Sequence, residues 1–200
     1  MVRPSARLAP EKGLHVLVDA FIDLHRNQRV ADVRLEIAGW LGKQHEPYWQ
    51  AQQQKIEAVG LGQHVNYWGS VDRKAKLEFL DSIDVLCVPT TYAEPKGLFV
   101  LEALAAGVPY LQPAHGAFPE LHSRVGGGYL FDPENPHELS ERLVEALSDI
   151  PASRRLGAVG REYIFEHATT DRAAEKLEAT LRRLINSASV DRTQADAVRK

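Results

Sequence analysis

Apolar positions change their period repeatedly along the chain. Leu14, Leu17, Val18, Phe21, Ile22 and Leu24 recur at helical spacing through His15 to His25, and Val33 to Ala38 is a short β-rich run that stops at Gly39. A Gln-rich surface stretch, Tyr48 to Val59, ends at Gly60 and Gly62 and gives way to the strand-like Val65 to Trp68 and a Gly69-Ser70 turn. Asp72 is placed to cap a helix through Ser82. The strand Val85 to Val88, the loop around Glu94, a helix to Ala106, the Gly107-Val108-Pro109 break and the strand Tyr110 to Gln112 complete the alternation. Strands that are mostly apolar, separated by helices, predict a parallel sheet covered on both faces, the α/β Rossmann-like doubly wound class.

Past Gln112 the spacing predicts a short helical turn at Pro119 to Leu121 and a strand at Tyr129 to Phe131 after the glycine run Gly126 to Gly128. Pro136 opens a helix through Leu147, and Ala152 to Glu166 and Asp171 to Ile185 are further amphipathic segments. Residues 1–186 are expected to form one domain, and the polar stretch 187–200 to be a frayed or disordered tail unless another domain holds it. The N-terminus departs from the pattern. A doubly wound sheet should open with an apolar strand, yet Met1 to Ala6 is short and interrupted by Pro4. The expectation is a chain cut or altered at a domain boundary, with half of a larger enzyme missing.

Composition narrows the functions available. An apolar fraction of 44% in 200 residues suits a globular core, and a net charge of −3 with interspersed signs lacks the basic surplus that nucleic acid requires. No run of eighteen apolar residues and no charged-then-apolar leader occurs, so membrane association is not indicated and a soluble, cytoplasmic chain is expected. The lone Cys87 lies in a predicted buried strand and reads as a core residue. Eight histidines show no metal-ligand spacing, so no metal is expected, and no glycine run forms a GxGxxG motif or P-loop.

Chemistry concentrates at Glu94-Pro95-Lys96-Gly97-Leu98-Phe99-Val100-Leu101-Glu102, which sets two carboxylates eight positions apart with a glycine between them. The first falls in a strand-to-helix loop, where α/β sheets bind ligands, and the second lies in the following helix. Three further elements occur with it in one order: Arg7-Leu8-Ala9-Pro10-Glu11-Lys12-Gly13, Trp68-Gly69-Ser70-Val71 and Phe118-Pro119-Glu120. Together with Glu102-Ala103-Leu104-Ala105-Ala106-Gly107-Val108-Pro109 they resemble the C-terminal, donor-binding domain of a GT-B glycosyltransferase of the retaining, family-4 kind (glycosyl transferases group 1), over residues 5–150.

That resemblance implies a nucleotide-diphosphate sugar as donor substrate, no cofactor, and an acceptor-binding N-terminal domain as missing partner. Arg7 and Lys12 would meet the diphosphate, whose leaving group needs positive charge as the glycosidic bond breaks. Gly97 and Leu98 would open a helix whose amides and dipole suit phosphate. Glu102 would accept from the ribose hydroxyls, and Glu94, taken as the catalytic residue, would position the donor sugar. Val71 would hold the base largely through backbone atoms, which leaves the base unassigned. In the resembling family an aromatic residue commonly stands where this chain has Lys96. Either the backbone N–H carries the role and the change is harmless, or the lysine adds charge near phosphate or sugar. His115 and Glu120 are candidate cleft residues, with a plain loop and helix start as the equal alternative, and Trp40 is expected to pack over a loop, with contact to donor or acceptor as the alternative. Two classes stay open: a transferase half that binds nucleotide but turns over little, or a stand-alone flavodoxin-like regulatory or interaction domain. A GT-B sugar-nucleotide epimerase competes within enzymes.

Overall fold

The computed structural model describes residues 7–135 and 137–198, with side chains through residue 185. Helix and strand alternate as α1 (Leu14–Arg26), β1 (Leu35–Ile37), α2 (Glu46–Glu57), β2 (Val65–Tyr67), α3 (Arg73–Asp81), β3 (Leu86–Cys87), α4 (Leu98–Ala105), β4 (Tyr110–Pro113), α5 (Phe118–Val125) and β5 (Gly128–Phe131). α6 (Glu138–Ser148), α7 (Ile150–His167) and α8 (Thr170–Val198) follow. All pairing among the described residues is parallel. β1 lies beside β2 with Leu35 opposite Val65, and β3, β4 and β5 form a second group with Leu86 opposite Tyr110 and Tyr110 opposite Gly128.

The segment Leu8 to Glu11 runs between the ends of these two groups. The Leu8 N–H donates to the Trp40 carbonyl at 2.8 Å, and the Thr91 N–H donates to the Glu11 carbonyl at 3.0 Å. Met1 to Ala6, the stretch without a clear opening strand, lies outside the described residues, as does Pro136.

Side-chain alternation along the strands explains the two layers of helix. Leu35, Ile37, Val85, Cys87 and Leu111 join Leu17, Phe21, Trp49 and Leu143 in one core, which α1, α2 and α6 cover. Tyr110 points the other way. Its hydroxyl donates to the Gly126 carbonyl at 2.8 Å and meets His122 of α5 at 3.0 Å. On this second face α4 buries Phe99, Val100, Ala103 and Leu104, and Trp68 packs edge-on against Phe79 of α3. Each fully buried Leu, Ile or Phe contributes roughly 1.5–3 kcal/mol over its exposed state, so both faces are needed to hold the strand ends in place. The Asp72 carboxylate accepts from the Ala75 N–H at 2.9 Å and caps α3 as its position suggests.

Three expectations change. The turn at Pro119 to Leu121 is a full helix, because Phe118, Leu121 and Val125 form an apolar stripe whose ends are buried. The polar tail is helical through Val198: from Thr170 onward the chain has neither glycine nor proline and is rich in alanine and arginine. The chain forms two compact units, Met1–Glu162 and Tyr163–Lys200, so the division falls inside α7 and not at 186. The first unit carries the strands and every residue of the candidate site. Among the described residues no helix is long and apolar enough to cross a membrane, and no group of three or more His, Cys, Asp or Glu is placed to hold a metal ion.

Candidate active site

The site forms where β3 ends and the chain crosses to α4. Gly13, at φ +74°, precedes α1 and lies so close to the loop after β3 that a Cβ would come 1.7 Å from the Pro89 carbonyl oxygen. Only glycine fits there, and the contact brings the start of α1 against residues 89–94. Lys12 is thereby delivered to Glu94, with Nζ 2.8 Å from Oε2 and the two side chains 13% and 10% exposed. Tyr92 joins them. Its hydroxyl accepts from Lys12 Nζ at 2.5 Å and donates to Glu94 Oε2, while Nζ also stands 4.8 Å from the Tyr92 ring centroid. The other carboxylate oxygen, Oε1, faces the backbone N–H groups of Lys96 and Gly97 at 3.4 Å each.

These partners set the charge state. Burial alone would raise the Glu94 pKa, but the hydrogen bonds from Lys12, Tyr92 and the Gly97 N–H, with the Lys12 charge, outweigh it and hold the carboxyl at about 2. For Lys12 burial pulls downward, and the hydrogen bonds to Glu94 and Tyr92 reverse it, leaving a net rise. Burial, then the bond to Glu94, raise the Tyr92 phenol. Glu94 and Lys12 are both ionised at neutral pH. The cluster is a carboxylate held by one ammonium, one hydroxyl and two amides, a donor set that phosphate oxygens also satisfy.

Gly97 has φ +63°, and a Cβ on it would lie 2.9 Å from Phe118 Cε1, so the turn into α4 needs glycine twice over. Leu98 then begins the helix with its side chain exposed. Glu102, further along α4, accepts from Lys76 of α3 at 2.8 Å. Val71 and Glu102, expected at base and ribose, line one groove of about 490 Å³ between α3 and α4, together with Asp72, Lys76 and Leu77.

The remaining candidates differ in how they meet the Lys12–Glu94 cluster. Arg7 is exposed and pairs with Glu11 at 3.4 Å. Glu120 pairs with Arg124 at 2.7 Å on the exposed face of α5. His115 gives its Nε2 to the Thr90 carbonyl at 2.9 Å, and two residues on, the Ala117 N–H donates to the Glu94 carbonyl at 2.8 Å, so this loop buttresses Glu94 through backbone. The Lys96 side chain is exposed, and its amide is the part that faces Glu94. Trp40 is 51% exposed. Cys87 is fully buried and burial pushes its thiol pKa up, which suits a core residue. Two contributors carried no recognised signal in the sequence, Tyr92 and Lys76. The i, i+2 spacing of Tyr92 and Glu94 in an extended loop was the one available hint for the first.

Parallel strands wound on both faces, with a lysine, a glutamate and a glycine turn gathered at the strand ends, define one half of a GT-B architecture. Residues 4–163 match the family Glycosyl transferases group 1, and the chain belongs to that family. It is 30% identical over 155 residues to a phosphatidyl-myo-inositol mannosyltransferase of Mycobacterium leprae, covering 78% of this chain and 39% of that protein. It is 29% identical over 183 residues to a GDP-mannose-dependent alpha-(1-6)-phosphatidylinositol monomannoside mannosyltransferase of Mycobacterium tuberculosis, covering 88% and 46%. The chain thus spans less than half the length of these curated relatives. Among solved structures, Anabaena Alr3699/HepE in complex with UDP superposes with a TM-score of 0.80 at 22% identity, over 91% of this chain and 48% of that one. The C-terminal domain of a Francisella tularensis glycosyl transferase group 1 protein, LpcC, gives 0.74 at 19% identity, over 84% and 86%. At these identities the likeness is one of fold.

Proposed function

We propose that this chain is the donor-binding half of a retaining, family-4 glycosyltransferase that moves a sugar from a nucleotide-diphosphate sugar to an acceptor hydroxyl. The observation that carries the reading is the convergence of Lys12, Glu94 and the Gly97 amide at the strand ends. Lys12, with Arg7 swinging in from its exposed position, neutralises the diphosphate, and the amides of Gly97 and Leu98 add the positive end of α4. Glu102 takes the ribose diol, Val71 meets the base through its backbone, and Glu94 accepts from hydroxyls of the donor sugar.

In the transfer the bond from the anomeric carbon to the diphosphate oxygen breaks and a bond to the acceptor oxygen forms on the same face. The acceptor proton passes to the departing diphosphate, so no covalent enzyme nucleophile, metal or cofactor enters. Charge grows on the leaving group as the bond stretches, which is where Lys12 and the α4 amides act. A second domain supplies the acceptor, and this half alone binds nucleotide with little turnover. The UDP bound in the HepE structure and the GDP-mannose dependence named for the mycobacterial relative support a nucleotide sugar as the ligand class.

Titration of the chain with UDP and with GDP, followed by amide NMR shifts, tests this reading. Shifts at Lys12, Gly97, Leu98 and Glu102 are expected, and unmoved spectra at millimolar nucleotide would refute it.

A further inference from the structure

The Glu94 carboxylate holds the same groups that the proposed function assigns to a diphosphate: Lys12 Nζ at 2.8 Å on one oxygen, the Gly97 N–H at 3.4 Å on the other. A diphosphate reaching those groups competes with Glu94 for them. Its extra charge favours it, and the two long amide contacts are weak ones to surrender. The Glu94 main chain stays in place meanwhile, because its carbonyl is held by the Ala117 N–H at 2.8 Å. Only the side chain is released.

One partner of that side chain is not attracted to phosphate in the same way. Tyr92 is neutral and donates its hydroxyl to Glu94 Oε2, the same oxygen that Lys12 contacts. We infer that Tyr92 is a positioning residue for donor-sugar recognition: when Lys12 and the α4 amides turn to the diphosphate, the Tyr92 hydroxyl retains the Glu94 carboxylate at the sugar end of the site. This rests on the donor-binding reading above. With Tyr92 on Oε2, the carboxylate keeps Oε1 and one lone pair of Oε2 for sugar hydroxyls. Tyr92 is 37% exposed, and its hydroxyl bonds to Lys12 and Glu94, both members of the site, so its role is local.

The test is Tyr92→Phe in the 200-residue chain, which keeps the ring beneath Lys12 and removes the hydroxyl alone. Affinities for UDP and UDP-glucose, and in parallel for GDP and GDP-mannose, are measured by calorimetry. UDP or GDP affinity should hold within about twofold, while the sugar nucleotide weakens by about tenfold, the size of one hydrogen bond to a charged group. A merely structural tyrosine would weaken both ligands alike. A common fall, an unchanged ratio, or a wild type that binds the sugar nucleotide no differently from the diphosphate would each overturn the inference. If the wild type binds none of the four at millimolar concentration, the proposed function fails first.

Discussion

Glu94→Gln should remove a stabilising contribution that depends on pH in one direction. The carboxyl ordinarily titrates at 4.5 and in the folded chain at about 2, and with its side chain only 10% exposed little of this difference is lost to solvent screening. At about 1.4 kcal/mol for each tenfold change in proton affinity, ionised Glu94 stabilises the fold by about 3 kcal/mol at neutral pH. The sign follows from the depressed folded pKa. The contribution is complete above the unfolded value of 4.5 and is lost as the pH falls toward 2. Urea unfolding of wild type and Glu94→Gln across the acid range reads this directly, because effects of other acids cancel in the difference. The two curves should lie about 3 kcal/mol apart at neutral pH and converge in acid. A gap that stays constant with pH would show that the Lys12–Tyr92–Glu94 cluster does not hold the carboxylate, and the electrostatic account would fall.

Three more outcomes are expected. Glu102→Gln should weaken UDP or GDP binding by about tenfold in calorimetry while its melting temperature barely moves, since the half-exposed pair with Lys76 is worth under about 1 kcal/mol; unaltered affinity would remove its ribose role. Gly97→Ala should destabilise by about 1–3 kcal/mol in urea titration, because alanine is strained at φ +63° and its methyl meets Phe118; a neutral result would contradict the turn geometry. Asp72→Ala should cost about 1 kcal/mol through the lost cap on the Ala75 N–H, and Asp72→Asn should recover most of it.

Much of this was legible in the chain because the period of apolar residues reports which face is covered. α1 shows it best: Leu14, Leu17, Val18, Phe21 and Leu24 are all buried where the pattern puts them. The α5 stripe is less visible, because His122, Ser123 and Arg124 separate Leu121 from Val125, although it continues across them. The carboxylate Glu94 and the turn glycine Gly97 were visible as neighbours in sequence. What they meet was not. Tyr92 also meets Lys12, eighty positions away, and Lys76 reaches Glu102 across twenty-six. The Lys12 contacts depend on Gly13 packing against Pro89, a tertiary fact that no local pattern encodes. Arg7 and Glu120, which motif position suggests for the cleft, each pair with a neighbour on their own segment, Glu11 and Arg124.

In a structure of the chain soaked with UDP, Lys12 Nζ is expected to have withdrawn from Glu94 beyond ion-pair reach, about 4 Å, and to lie with the Gly97 N–H on diphosphate oxygens, with the ribose at Glu102. Nucleotide bound away from the strand ends, or bound there with Lys12 still 2.8 Å from Glu94 and no contact to phosphate, would contradict it.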